Sequence, residues 1–301
     1  MAGARDIKAR IKGVKSTGKI TRAMEMISAV KMRKAAQAVV AIRPYAEGAL
    51  ELLNQLEYAV GSESHPLLEE RPVKRELYVV ITSNRGLCGA FNAQVMKRLR
   101  AILEQDKKRE AVFLTIGKKG EAAISRMPVG EKAEAASIIA SFPDVLGEPS
   151  PLTLRPVARV IMEEFISKRV DRVVMIYTDY VSVMTQEVKV RALLPVVLKD
   201  TKRTLNTDMN KSLGPKGEYT IEPSPESVLE RMIPKLVEME LYHGILESNA
   251  SQEAARMMAM RNATDAAKEM ADDFTLMYNQ LRQQKITQEI AELSAGMAAV
   301  S

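Results

Sequence analysis

The residues of this chain whose types and spacing could do chemistry lie in TSNRGLCGAFN, Thr82–Asn92. Cys88, the only cysteine, stands there between Gly86 and Gly89, directly after the apolar run LYVVI. A strand, a glycine turn and a helix can hold a phosphate on backbone N–H groups or present a nucleophile. A phosphate loop of the GxxxxGK type needs a lysine followed by Ser or Thr, and no lysine follows Gly89. The dinucleotide pattern GxGxxG is also absent. A cysteine nucleophile needs a base, and His65 and His243, the only histidines, sit in no partner motif. The letters therefore favour a tight structural turn whose glycines permit unusual backbone angles, with Cys88 packed as a small apolar side chain. Arg85, Gly86, Cys88 and Gly89 are its signature. No HExxH, GxSxG or carboxylate-rich metal loop occurs elsewhere.

The second concentration of functional groups is electrostatic. Arg5, Lys8, Arg10, Lys12, Lys15, Lys19 and Arg22 precede the first glutamate, opposed only by Asp6. Composition alone points such a run toward nucleic acid. No aromatic residues interleave to stack bases, and no zipper follows as in a basic-region dimer. A lysine-rich helix face that meets acidic protein partners fits better, and Lys8, Lys12, Lys15, Lys19 and Arg22 are its candidate residues. A basic coiled-coil nucleic-acid binder remains the alternative, and an enzyme using the Cys88 loop a third.

The rest of the chain must position these groups. It has 301 residues, a formal charge of +6, 4% aromatics and eighteen methionines, a mixture that leans toward long helices. One cysteine excludes an internal disulfide and a thiolate zinc cage. No apolar run reaches the roughly 20 residues of a membrane span, and the basic start lacks the apolar core of a secretory signal. Because its helical pattern simply continues, it reads as mature structure rather than a transit peptide.

Three segments follow from periodicity. Residues 1–60 form one long helix, with Ile7, Ile11, Val14 and Gly18 on one stripe, Ile20, Met24, Ile27 and Val30 close beside it, and a possible kink at Pro44. Residues 73–223 alternate strand runs (ELYVVI, AVFLTI, RVVMIYT) with helical stretches, as an α/β domain with a largely parallel sheet does. VSVMTQEVKVRALLPVV leaves no room for a crossover helix and predicts an antiparallel edge strand. The turn-rich KRTLNTDMNKSLGPKGEYTIEP is expected to be mobile. Residues 224–301 start at the capping sequence SPES and form a second long helix, with a 3-4 stripe from Leu229 to Leu281 interrupted by His243, Glu253 and Thr264. Without Gly or Pro between Ile245 and Leu293, that stretch alone would run roughly 70 Å. The expected fold is an antiparallel two-helix coiled coil of the terminal helices with an inserted Rossmann-like α/β domain.

Three blocks carry a resemblance: IKGVKSTGKITRAMEMISAVKMRKAAQ, TSNRGLCGAFN, and the long block from Glu247 to Ile290. In order and spacing they resemble the gamma subunit of F-type ATP synthases, bacterial type, over essentially the whole chain. The resemblance implies a central rotor stalk inside a ring of alpha and beta subunits, bound below to epsilon and to the membrane c-ring. It implies no catalysis by this chain itself, no cofactor, no nucleic acid, and membrane association only through the complex, at the cytoplasmic face of the plasma membrane. Residues matched to the family's coupling positions are Met24, Arg282, Gln283, Thr287 and Glu289, with Arg256 nearby. The basic cluster would face acidic segments of beta, and Ala298, Ala299 and Val300 would form an apolar tip. The cysteine pair inserted in chloroplast members has no counterpart here.

Overall fold

A computed structural model describes residues 4–60, 65–106, 108–129, 134–147, 149–196 and 224–300. The turn-rich segment 202–223 lies outside the described residues, as do the side chains of Ala298, Ala299 and Val300. The element order is α1 (Ala4–Val60), a 3-10 turn (Pro66–Leu68), β1 (Arg75–Ile81), α2 (Phe91–Gln105), β2 (Glu110–Ile116) and α3 (Lys118–Ile124). A short pair β3 (Pro128–Val129) and β4 (Glu134–Ala135) leads to β5 (Ser137–Ser141), α4 (Pro151–Ile166), β6 (Arg172–Tyr180), β7 (Gln186–Leu194) and α5 (Pro225–Val300). Both terminal helices run on through an internal proline, Pro44 in α1 and Pro234 in α5. Ser224 caps α5, its Oγ accepting from the Ser227 amide at 3.3 Å.

Contacts divide the chain into two compact units, one of residues 1–29 with 256–301, the other of residues 30–255. In the larger unit the sheet order is β5-β2-β1-β6-β7. The first four strands are parallel and β7 pairs antiparallel with β6, the edge strand that the missing crossover predicts. Of the parallel strands, β1, β2 and β6 are buried on both faces because helices cover both, while the edge strand β5 is half-exposed. Leu77, Val79, Ile81, Val173 and Met175 pack with Leu154, Val157 and Phe165 of α4 and Ile233, Leu236 and Ile245 of α5. On the other face, Tyr78, Val80, Phe113 and Ile176 meet Val95 and Leu99 of α2 and Ile124 of α3. Gly244 lets α5 lie close to β6, since a Cβ there would stand 2.6 Å from the Met175 methyl.

In the smaller unit the two terminal helices pair. A Cβ built at Gly18 would meet the Ala267 Cβ at 3.4 Å, and the Thr21 and Thr264 hydroxyls are 2.7 Å apart. Numbers rise on one helix as they fall on the other, so the pair is antiparallel. Burial on α1 in this unit falls at one heptad position, Ile7, Thr21 and Ser28; in the larger unit the helix buries Met32, Ala35 and Val39. A seam this narrow corrects the expected stripe, because Ile20, Ile27 and Val30 fall outside that heptad position and are 59%, 57% and 64% exposed. Hydropathy alone grouped them with the seam; the 3.5-residue period separates them.

Candidate functional site

The glycine loop is built from the end of β1 and the start of α2. Asn92, in the first turn of α2, accepts from the Ser83 amide at 3.0 Å and donates to the Cys88 sulfur at 3.3 Å. The Ser83 hydroxyl donates to the Arg85 carbonyl at 2.7 Å, closing the turn. Gly89 takes a left-handed φ of 56°, as does Leu87 at 63°. The amides that could cradle an anion at the start of α3 are already taken: Gly120 donates to Thr82 Oγ1 at 2.7 Å and Lys118 to Asn84 Oδ1 at 3.1 Å. Cys88 is 3% exposed, and its sulfur has Ser83, Asn92 and the Arg85 carbonyl as hydrogen-bond neighbours, none of them a base. Gly117 fixes the loop from the other side. Its φ is 105°, and a Cβ would come 2.1 Å from the Thr82 carbonyl oxygen. Arg85 stands exposed, Gly86 half-buried and Gly89 exposed. Such a loop is a turn fastened by the side chains of Ser83, Asn84 and Asn92.

The paired helices present the other candidates. Lys8, Lys12, Lys15, Lys19 and Arg22 are all exposed on α1, while Met24 is half-buried against the seam. Arg282, Gln283, Thr287 and Glu289 are exposed on α5, and Arg256 is buried. The register of Thr21 on Thr264 sets Met24 level with about residue 261. It therefore lies within about two turns of Arg256, but roughly 30 Å along the axis from Arg282 at 1.5 Å per residue. The structure gathers Met24 with Arg256 and leaves Arg282–Glu289 as a separate level.

Beside these polar groups run apolar ones facing solvent. On α5, Leu276, Ile286, Ile290, Leu293 and Met297 are exposed, Leu293 at 71%. On α1 the exposed row is Ile20, Met26, Ile27 and Val30. Apolar side chains scattered singly need no explanation, but repeated rows along a helix form an exposed apolar surface of the kind interaction sites have.

Sequence reasoning missed a buried polar cluster where α5 crosses β6 and β7. His243 Nε2 lies 3.3 Å from Glu247 Oε1, and Lys189 pairs with Asp179. Burial, then the hydrogen bond to Asp179, pushes the Glu247 carboxyl up to about 9. Burial works to raise Asp179 too, but hydrogen bonds to Glu247 and Lys189 outweigh it and hold it low. Glu247 therefore carries the proton of the pair at neutral pH. The available signal was His243 interrupting an apolar stripe; its partners on β6 and β7 are visible only in three dimensions. Among the described residues no group of His, Cys, Asp and Glu could hold a metal ion, and no helix is long and apolar enough to cross a membrane.

A paired-helix unit with uncovered apolar rows, joined in sequence to a sheet unit without a catalytic constellation at its conspicuous turn, has the character of an assembly subunit. The family model described as ATP synthase matches residues 3–300. The ATP synthase gamma chain of Heliobacterium modesticaldum is 40% identical over 302 residues, covering all of both chains. That of Moorella thermoacetica is 39% identical over 300 residues, and that of Dehalococcoides mccartyi 41% over 304, again covering all of both chains. Among solved structures, a chain of the Tetrahymena thermophila mitochondrial ATP synthase central stalk and c-ring aligns at TM-score 0.58 and 25% identity, over 81% of this chain and 99% of that one. A chain of the Euglena gracilis mitochondrial enzyme shares the fold at TM-score 0.65 and 19% identity, over 99% and 94%. The chain belongs to the ATP synthase gamma chain family.

Proposed function

We propose that this chain is the central rotor stalk of a bacterial ATP synthase, turning with a membrane c-ring and coupling that rotation to nucleotide chemistry on beta subunits. It binds alpha, beta and epsilon, catalyses nothing by itself, and sits at the cytoplasmic face of the plasma membrane through its partners. The observation that carries this reading is the pair of uncovered apolar rows on α1 and α5 in a member of this family. They are surface for which the described residues provide no cover.

Coupling requires that contact energy depend on orientation. Driving a two-state beta subunit from 1:99 to 99:1 takes about 5.5 kcal/mol of differential contact. One exposed ion pair supplies about 0–1 kcal/mol. A buried Leu or Ile supplies about 1.5–3 kcal/mol, so a few side chains of the rank of Ile290 and Leu293 suffice. The exposed lysines of α1 are better suited to steering and orientation than to this work. Met24 with Arg256, and Arg282, Gln283, Thr287 and Glu289 one level further along, are the proposed coupling contacts. Family membership leaves the nucleic-acid alternative without support.

The test is assembly. Co-expression with alpha and beta should yield one complex with ATPase activity. In it, replacing Ile286, Ile290 and Leu293 together with serine should weaken retention of this chain about tenfold or more. Unchanged retention would overturn the reading of the apolar rows. A chain that never enters the complex, even unsubstituted, would overturn the stalk itself.

A further inference from the structure

The two outer faces of the sheet unit differ in charge. On and just after α4 the exposed charges mostly pair among themselves, Arg159 with Glu163, Arg169 with Glu164, and Lys168 with Glu69, leaving Arg155 without an ion pair to a described residue. On the α2–α3 side, exposed Arg85, Lys118 and Lys119 form no ion pair with a described residue, and neither do Lys97, Arg98 and Arg100 of α2. The glycine loop ties three of these cations together. Asn84 binds the Lys118 amide, and the Lys119 amide donates to the Ser83 carbonyl at 3.1 Å, so both lysines stand beside Arg85. Two carboxylates lie nearby: Asp144, which follows the Pro143 carbonyl that accepts from Asn84, and Glu121 in the first turn of α3, whose Oε2 accepts from the Ser141 hydroxyl at 2.8 Å; neither forms an ion pair with these cations.

Leu87 stands among these cations. It is 62% exposed and held at a φ of 63°, a left-handed conformation uncommon for any residue but glycine. Its neighbours explain the rigidity: the Ser83–Asn92–Cys88 hydrogen bonds fasten the turn beneath it, leaving Arg85 and Leu87 directed outward. A strained, fixed, exposed apolar tip beside unneutralised cations is unusual for a turn whose only task is to join β1 to α2.

We propose that this tip and its cations form a contact site for anionic phospholipid. Leu87 would enter the headgroup–acyl boundary while Arg85, Lys118 and Lys119 engage lipid phosphates, with the α2 cations adding long-range attraction. A single apolar side chain with several cations matches the two-signal logic of reversible surface binding. A protein partner of comparable stability calls for an apolar interface core with aromatic anchors opposite it, and neither α2 nor α3 exposes a large apolar side chain. The contact goes beyond the stalk reading, which places the chain at the membrane only through other subunits, and it stands or falls separately from it.

The experiment is flotation of the full chain with phosphatidylcholine vesicles, with and without phosphatidylglycerol. Binding should require phosphatidylglycerol and weaken with salt. Combining Arg85→Gln, Lys118→Gln and Lys119→Gln should lower it roughly tenfold or more. Leu87→Ser should lower it about threefold to tenfold while leaving the salt dependence unchanged. The charge-matched control, Arg155→Gln with Arg159→Gln and Lys168→Gln on the opposite face, should change binding less than about twofold. Equal loss from both triple variants would reduce the effect to net charge and overturn the site, as would binding that survives the first triple intact. If that triple leaves vesicle binding unchanged but releases the chain from its assembled complex, the partner is an acidic protein and the lipid assignment is wrong.

Discussion

One helix behaves in two ways. Between Ile233 and Arg256, α5 is buried almost all round, packed on the sheet and carrying even Glu240, His243, Glu247 and Glu253 inside. From Arg282 to Ala295 every described side chain of the same helix is exposed, leucines and isoleucines included. Helix propensity does not distinguish the stretches. The first has its partners within the chain, whereas the second is left uncovered by the described residues. The contrast separates what folds this protein from what it works on.

That division predicts where substitutions register. The largest effect on the isolated chain should come from the sheet unit. Gly117→Ala places a Cβ against the Thr82 carbonyl at a positive φ, and Phe165→Ala empties a fully buried site between α4 and the sheet. Each should cost roughly 3–5 kcal/mol in urea unfolding, and a loss below 1 kcal/mol would show that the unit is looser than described. Next comes the helix seam. Ala267→Leu, facing Gly18, should cost about 1–3 kcal/mol by overpacking, measured as lost helicity on heating.

The buried carboxyl pair gives a pH signature confined to the sheet unit. Glu247 is held protonated when folded, at about 9, but would ionise near 4.5 when unfolded. Across that window the folded state binds the extra proton, so stability falls as pH rises, and its contribution is fully present only below the lower value. Asp179 works the other way, its contribution being lost as pH falls through its depressed value. Glu247→Gln should flatten the alkaline slope in unfolding curves at pH 6, 7.5 and 9, whereas a slope identical to the parent's would remove the shared proton from the account.

Smallest of all should be the effect of Ile290→Ser with Leu293→Ser on the isolated chain, within about 0.5 kcal/mol. A larger loss would mean these residues are covered within the chain, and the contrast along α5 would collapse.

Much of the fold was legible because its signals are local. The runs LYVVI, AVFLTI and RVVMIYT gave three of the four parallel strands, the half-exposed edge strand β5 carrying no comparable apolar run, and the missing crossover after Tyr180 gave the antiparallel edge. Ser224 announced α5. The helix seam was legible only in part, since Ile20, Ile27 and Val30 are as apolar as Ile7, and only the 3.5-residue period excludes them. Legibility ended at the Asp179–Glu247 pair and at Leu87. A carboxylate 68 residues from its partner leaves no spacing to read, and an exposed leucine inside an apolar-looking turn resembles a core residue until backbone angles are known. For the coupling positions, sequence matching named Met24 and Arg282 together, and helix register set them apart.

The central claim is that this chain turns. The most direct measurement fixes an alpha–beta complex containing it to a surface, attaches a probe through Lys108→Cys, an exposed position with Cys88 buried, and follows the probe as ATP is hydrolysed. Sustained rotation in one direction, stopping when ATP is withdrawn, is the predicted result. ATP hydrolysis at full rate with the probe stationary would contradict the account.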